Sequence, residues 1–174
     1  MKVKFTSDNR VGDLNKEATA AKRAGDWVKA IRLLREAKEA EGDSYANTRL
    51  AKFLQESGDF EGAMEEIEAL IKNSRVWTEG MFGHQPRSVQ RAGQASWISR
   101  IHKDAALICK RAKNAKLQAF HERECERWFA MKKKLDVSAK KDKADERQGW
   151  EDAKKQGARG MAQFLEKKRS GKLP

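Results

Sequence analysis

The stretch "AGDWVKAIRLLREA" at residues 24–37 decides the fold, because "SGDFEGAMEEIEAL" repeats its pattern at residues 57–70. In both stretches Gly-Asp precedes an aromatic residue, and an alanine follows three residues later. Apolar residues then recur at spacings of three and four, which places them on one helical face. Glycine permits the left-handed conformation that ends a helix, and aspartate caps the next helix by accepting from its free amides. Each stretch therefore predicts the turn and second helix of a helical hairpin.

The two units align beyond the quoted letters at a constant offset of 33 residues. The matched pairs are Gly25 with Gly58, Asp26 with Asp59, Trp27 with Phe60, Ala30 with Ala63, Ile31 with Met64, Leu34 with Ile67, Ala37 with Leu70, Ala18 with Ala51, Ala20 with Phe53 and Ala21 with Leu54. Small residues on the first helix of a unit allow the second helix to approach closely. We therefore predict an all-α protein containing two helical hairpins within residues 13–74.

These hairpins resemble tetratricopeptide repeats, in which Gly-Asp-aromatic begins the second helix and two alanines follow on its face. The period of 33 is one short of the usual 34, and the Trp and Leu-Gly of the first helix are missing, so a related hairpin repeat remains an alternative. The resemblance implies that the units stack and that their first helices line a concave surface for a partner's peptide or helix. On this chain the surface would include Asn15, Lys22, Asn47 and Gln55.

The charge is distributed unevenly between the two halves of the chain. Residues 1–80 carry 14 Lys and Arg against 15 Asp and Glu, whereas residues 81–174 carry 24 against 11, which accounts for the net charge of +12. Such a basic half favours an acidic partner, and lysine-rich helix surfaces that only maintain solubility are the alternative. We divide the chain into an N-terminal arm (1–12), the hairpins (13–74), an apolar loop (75–88), a basic helical segment (89–136) and a basic tail (137–174).

The predicted loop at residues 75–88 contains two glycines and Pro86, yet it carries Trp77, Met81 and Phe82. Exposed aromatic patches are uncommon on monomeric proteins. We therefore expect this segment to fold back over the second hairpin, with a partner-binding hook as the alternative.

The basic segment at residues 89–136 carries two apolar stripes on different helical faces. The first stripe is Trp97, Ile101, Ala105, Ile108, Ala112 and Ala115, and the second is Leu117, Phe120, Trp128, Met131 and Leu135. Either the helix breaks near Lys113-Asn114 to form a third hairpin, or one continuous helix runs on. We favour the continuous helix, whose projecting end would present Phe120, Trp128 and Met131 to a partner, or to a second copy through residues 117–135.

The surface opposite the first stripe is basic and is the main candidate for holding an acidic partner. Its cationic residues are Arg100, Lys103, Lys110, Arg111 and Lys113. Phosphate binding by such a row would depend strongly on salt, and no sequence-specific nucleic-acid motif is present. We expect a protein partner, with direct electrostatic binding of RNA or DNA as the alternative.

The run "HEREC" at residues 121–125 is a candidate metal site, because it has the spacing of the zinc-hydrolase helix with cysteine in place of the second histidine. A structural half-site that adds His102 or Cys109 is a further option. No third ligand stands at a recognisable spacing, and Glu and Arg alternate around the run. We therefore interpret it as a solvated surface turn and expect no metal.

The rest of the sequence indicates binding rather than catalysis. It contains no phosphate-binding glycine loop and no nucleophile elbow, so we expect neither an enzyme nor a cofactor. Two cysteines without a disulfide framework and the absence of a long apolar run favour a cytoplasmic protein. The tail reads as a linker followed by a weak amphipathic helix through Trp150, Gly157 and Phe164, which either packs on the body or orders on a partner.

Overall fold

The computed structural model describes residues 9–170, and these residues fold into seven α-helices. The helices are α1 (Asn9–Arg23), α2 (Trp27–Glu41), α3 (Arg49–Glu56), α4 (Phe60–Phe82), α5 (Arg87–Arg111), α6 (Ala115–Lys155) and α7 (Gly157–Arg169), with a short 3-10 helix at Gly42–Ser44. No strand occurs in the described range, so the all-α prediction is confirmed. Of the predicted arm, residues 1–8 lie outside the described residues and residues 9–12 belong to α1. Residues 171–174 of the predicted tail also lie outside the described residues.

Both Gly-Asp turns have the predicted geometry. Gly25 and Gly58 have φ of 79° and 98°, and each following aspartate caps a helix. Asp26 Oδ1 accepts from the amide of Lys29 at 2.9 Å, and Asp59 Oδ1 accepts from Gly62 at 2.8 Å. The aspartate amides in turn donate back to the carbonyls of the preceding helices, which satisfies groups that a helix end leaves free.

A third turn of the same design joins α5 to α6, so the prediction of a continuous helix is wrong and its alternative, a third hairpin, is correct. Lys113 takes the left-handed conformation at φ 57°, and Asn114 Oδ1 accepts from the amide of Leu117 at 3.1 Å. The Asn114 amide donates to the Cys109 carbonyl at 2.9 Å, as each aspartate amide does five residues back in the first two turns. This turn has lysine where the first two turns have glycine, so its sequence signal is weaker.

The core joins the two hairpins to α5. Ala18, Ala30, Ala51 and Ala63 are fully buried, which confirms that small residues bring the hairpin helices close together. The first predicted stripe on α5 supplies the other side of this core through Trp97, Ile101, Ala105 and Ile108. Its last two members, Ala112 and Ala115, are exposed because the chain turns between them. The third hairpin thus covers the end of a stack that two units would leave open.

Helix α4 extends to Phe82, so the loop predicted at residues 75–88 is wrong for most of its length. The segment nevertheless folds onto the body: the ring centroids of Trp77 and Trp97 lie 5.5 Å apart. Phe82 lies so close to α5 that a Cβ added at Gly93 would stand 2.9 Å from its ring. The apolar residues therefore belong to a helix that packs on α5, and only residues 83–86 lie between the two helices.

The linker predicted after residue 136 is also wrong, because α6 continues without interruption to Lys155. The weak amphipathic pattern of the tail is divided between two antiparallel helices that turn at Gly157, whose φ is 70°. Across that turn Trp150 and Phe164 meet edge to face at 5.6 Å. Gly149 permits this approach, since a Cβ there would lie 3.1 Å from the Phe164 ring. The tail thus packs on its own chain.

Candidate binding surfaces

The first helices of the three hairpins, α1, α3 and α5, are joined by ion pairs, and we call the surface that carries these pairs the first-helix face. Glu56 on α3 accepts hydrogen bonds from Lys22 on α1 and, at 2.8 Å, from Arg111 on α5. Asp104 on α5 pairs with Lys52 on α3 at 2.8 Å, and it also accepts from the Thr48 hydroxyl at 2.5 Å. These charged contacts hold the hairpins in register along this face.

The residues predicted for the concave surface lie on or beside this face, and most of them contact other residues of the chain. Asn15 donates to the Val11 carbonyl at 2.9 Å, and its Oδ1 accepts from Arg49 at 3.3 Å. Lys22 is paired with Glu56, and Asn47 Oδ1 accepts from the Arg49 amide at 2.9 Å. Gln55 differs, because its buried Oε1 has no hydrogen-bond partner among the described residues.

A depression of about 390 Å³ lies between α1 and α3. Its lining residues are Gly12, Asn15, Lys16, Thr19, Ala20, Arg23 and Arg49. None of the lining side chains is acidic. Lys16 pairs with Asp13 at 3.2 Å, whereas Arg23 and Arg49 have no carboxylate partner in the part of the chain that the structure describes. We call this feature the α1–α3 depression, and its two arginines without carboxylate partners make it suited to an acidic group.

Helix α5 presents the predicted basic row to solvent. Arg100, Lys103 and Lys110 are exposed and form no ion pair within residues 9–170, whereas Arg111 is paired with Glu56. Lys113 does not lie on α5, because it is part of the turn between α5 and α6. The row is therefore accessible, but one of its five members already has an acidic partner.

A second depression, of about 550 Å³, runs between α5 and α6, and we call it the α5–α6 groove. Its lining residues are Ser99, Lys103, Ala106, Leu107, Lys110, Gln118, Glu122, Cys125, Glu126 and Phe129. The lysines stand on the α5 side and the glutamates on the α6 side. The apolar residues include Leu107, which is 40% exposed, and Phe129, which is 49% exposed.

The predicted apolar candidates on α6 lie on a helix that packs along α5. Trp128 and Met131 are half-buried, whereas Phe120 is 44% exposed, with its ring in contact with the rings of His102 and His121. The prediction that all three stand on a free helix end is therefore wrong, because α6 folds back along α5 after the turn at Lys113.

The interpretation of "HEREC" as a solvated surface turn is wrong for His121, which is buried and lies with its Nδ1 2.9 Å from Nδ1 of His102. Burial lowers the pKa of both imidazoles, and for His121 the neighbouring His102 lowers it further, to about 4. Cys125 instead approaches Ser99, whose hydroxyl donates to the Cys125 carbonyl at 3.1 Å. Among the described residues, no three His, Cys, Asp or Glu side chains come together as metal ligands.

Sequence reasoning missed four charged residues of the first-helix face: Glu56, Asp104, Arg23 and Arg49. It also missed Glu66 on α4, which is buried and pairs with Lys38 at 2.5 Å. Burial of Tyr45 raises the pKa of its hydroxyl, and the negative charge of Glu66 raises that pKa further. A signal was available for Arg49, since the offset of 33 makes it equivalent to Lys16, which lines the same depression. None was available for Glu56 and Arg111, which are 55 residues apart.

Comparison with known proteins supports the repeat assignment. A family model described as "Tetratricopeptide repeat" matches residues 21–77, the region from the end of α1 into α4. No curated protein and no solved structure matches the chain significantly. Within residues 9–170 there is no helix of the length and apolar character needed to cross a membrane. Repeats of this family are typically non-catalytic scaffolds for protein interaction. With the caps, the buried alanines and the stacked hairpins, the match shows that this chain is a tetratricopeptide-like helical repeat protein.

Proposed function

We propose that this protein is a non-enzymatic adaptor or regulator that holds an acidic segment of another protein in the α1–α3 depression. The observation that carries the proposal is the set of partners that the Arg49 side chain has in the structure. Its guanidinium donates to two neutral oxygens of Asn15, at 3.3 and 3.4 Å, and lies 6.0 Å from the centroid of the Phe53 ring. It has no carboxylate partner among the described residues, although guanidinium groups pair readily with carboxylates. A partner's carboxylate would replace these long contacts with charge-assisted hydrogen bonds, which are stronger.

The surroundings of Arg49 support an extended acidic segment rather than a single small anion. Arg23 lies in the same depression without a carboxylate partner among the described residues, so a second acidic side chain has a partner there. Lys22 and Gln55 lie on the same two helices but do not line the depression, because Lys22 pairs with Glu56 and the Oε1 of Gln55 is buried. The two free cysteines suit a reducing compartment, so we propose a cytoplasmic location.

The alternative, direct binding of nucleic acid by the basic row of α5, has weaker support. Lys103 and Lys110 line the α5–α6 groove together with Glu122 and Glu126. Acidic side chains so close to the row lower the positive potential that a phosphate backbone would meet. A groove lined by side chains of both charges suits a protein partner better than a polyanion.

The proposal is tested by fluorescence anisotropy with four labelled probes. Two are peptides: an acidic peptide of about ten residues, which is long enough to cross both helices when extended, and the same peptide with Gln and Asn replacing its acids. The other two are a random-sequence RNA duplex and a random-sequence DNA duplex. We expect the acidic peptide alone to bind measurably. Arg49→Gln should weaken that binding about tenfold, the loss expected for one charge-assisted hydrogen bond. Arg35→Gln, which changes an exposed arginine on α2, is the matched control.

Two results would overturn the proposal. The first is equal binding of the acidic and neutral peptides, or equal losses in the Arg49 and Arg35 variants, because either would show that the depression does not recognise charge. The second is tight binding of the duplexes that falls steeply with added salt, which would establish the nucleic-acid alternative instead.

A further inference from the structure

The α5–α6 groove has an arrangement of charged and apolar residues that takes no part in the binding proposed for the α1–α3 depression. Its α5 side is basic and its α6 side is acidic, and its floor includes Ala106 and Cys125 between the two charged sides. Leu107 and Phe129 remain partly uncovered, at 40% and 49% exposure. A surface with opposite charges on its two sides and apolar groups between them is complementary to itself after a two-fold rotation.

We propose that this groove packs against the same groove of a second copy of the chain, so that α5 and α6 of both copies form a four-helix bundle. The two-fold axis runs parallel to the helices. Under that rotation α5 of one copy lies on α6 of the other. The interface is therefore isologous, and each contact occurs twice.

The register of α5 against α6 determines which charges meet. Contacts between Ser99 and Cys125 and between His102 and His121 place residues whose numbers sum to about 224 at one height along the hairpin. Lys103 and Glu122 share a height by the same rule. Rotation about an axis parallel to the helices leaves heights unchanged, so Lys103 of one copy faces Glu122 of the other. Each dimer gains two such opposite-charge pairs.

The helix directions also favour this arrangement. Helix α6 runs antiparallel to α5 within one copy, and the rotation places each helix beside an antiparallel neighbour from the second copy. Antiparallel neighbours align opposite ends of their helix dipoles, as in antiparallel four-helix bundles. The two Phe129 rings then lie at one height on either side of the axis, where each covers the other's exposed face.

The net charge of +12 on each copy opposes association, and salt screens that repulsion. The measurement is therefore made at about 0.15 M salt, where charges farther apart than about 8 Å are largely screened. We expect light scattering on the full-length protein to show a concentration-dependent dimer. Phe129→Lys should raise the dissociation constant at least about tenfold, because it removes apolar burial and adds like charge. Val28→Lys is the matched control, since Val28 is 83% exposed on α2.

Charge exchange tests the register directly. Lys103→Glu and Glu122→Lys should each weaken the dimer, because each brings like charges together. The double variant should restore dimerisation, since it re-creates the pair with reversed signs. Failure of the double variant to recover affinity would overturn the proposed register, and circular dichroism checks that each variant is folded.

Cross-linking provides an independent readout. Cys125 lies at the groove, whereas Cys109 is fully buried, so a short bis-maleimide should join two copies only through Cys125. Cys125→Ser should abolish the covalent dimer. A monomer at every concentration, or a dimer that persists in Phe129→Lys, would overturn the proposal. Arg49→Gln should leave the dimer unchanged, so failure here is distinguishable from failure of acidic-peptide binding.

Discussion

The Nδ1 atoms of His102 and His121 lie 2.9 Å apart where α5 packs on α6, and both side chains are buried. One nitrogen donates its proton and the other accepts it, so the pair needs at least one neutral ring. Protonation of both rings would place two donors against each other. The pair therefore joins α5 to α6 only while one imidazole remains uncharged.

This geometry predicts loss of stability in mild acid. Burial lowers the folded-state pKa of both histidines below the ordinary 6.5, for His121 to about 4, although nearby Glu124 partly offsets the shift. Between pH 6.5 and about 4 the unfolded chain binds more protons, so the stabilisation is complete above pH 6.5 and is lost as the pH falls through this window. We expect the free energy of unfolding to drop by roughly 2 kcal/mol over it.

Chemical denaturation at a series of pH values checks this prediction. His121→Gln should flatten the dependence between pH 4 and 6.5, because the glutamine does not titrate. His84→Gln, which changes an exposed histidine between α4 and α5, should retain the wild-type slope. An unchanged slope in His121→Gln would contradict the prediction.

Glu56 should contribute to stability through its two cationic partners. Glu56→Gln removes the charge that holds Lys22 and Arg111, and we expect a loss of about 1 kcal/mol, since the groups are only partly exposed. The loss should shrink in high salt. Thermal unfolding of Glu56→Gln and of Glu65→Gln, an exposed glutamate on α4, gives the comparison. Equal effects in the two variants would indicate that the bridge contributes nothing.

The turn between α5 and α6 should respond in opposite directions to two neighbouring substitutions. Lys113→Gly should stabilise the protein by up to about 1 kcal/mol, because glycine adopts the positive φ of 57° without the cost that lysine bears. Asn114→Ala should destabilise it by about 1 kcal/mol, because the Leu117 amide loses its cap. Urea midpoints of the two variants measure both signs. A destabilised Lys113→Gly would show that lysine makes a compensating contact.

The core contact between the repeats and α5 should be far more sensitive than the outer face of α5. Ile101 is fully buried, so Ile101→Ala should cost about 3 kcal/mol through lost burial and the cavity that remains. Leu107 lies on the same helix but is 40% exposed, and Leu107→Ala should cost less than about 1 kcal/mol in the monomer. Denaturation at low protein concentration separates this effect from any dimer interface. Similar losses at the two positions would contradict the packing of α5 on the repeats.

The candidate surfaces were partly predictable from the sequence. Of the residues predicted on the first helices, Asn15 and Lys22 lie on α1 and Gln55 lies on α3, because a constant offset of 33 relates equivalent positions. Asn47 instead precedes α3. The charged partners were not predictable, because ion pairs such as Glu56 with Arg111 depend on how α5 docks. The same docking decided that Trp128 lies against a neighbouring helix instead of on a free end.

By itself the sequence determined the two hairpins, because their turns depend on neighbours: glycine supplies a positive φ, aspartate caps the following amides, and apolar spacing orients each helix. Only the tertiary structure decided the third hairpin, the length of α4 and the course of the tail. The left-handed conformation of Lys113 is locally unfavourable, and the packing of α6 along α5 offsets it. That packing joins residues far apart in sequence, such as Ser99 with Cys125 and His102 with His121. Local rules describe one turn at a time, whereas burial of the α5 core depends on the whole stack.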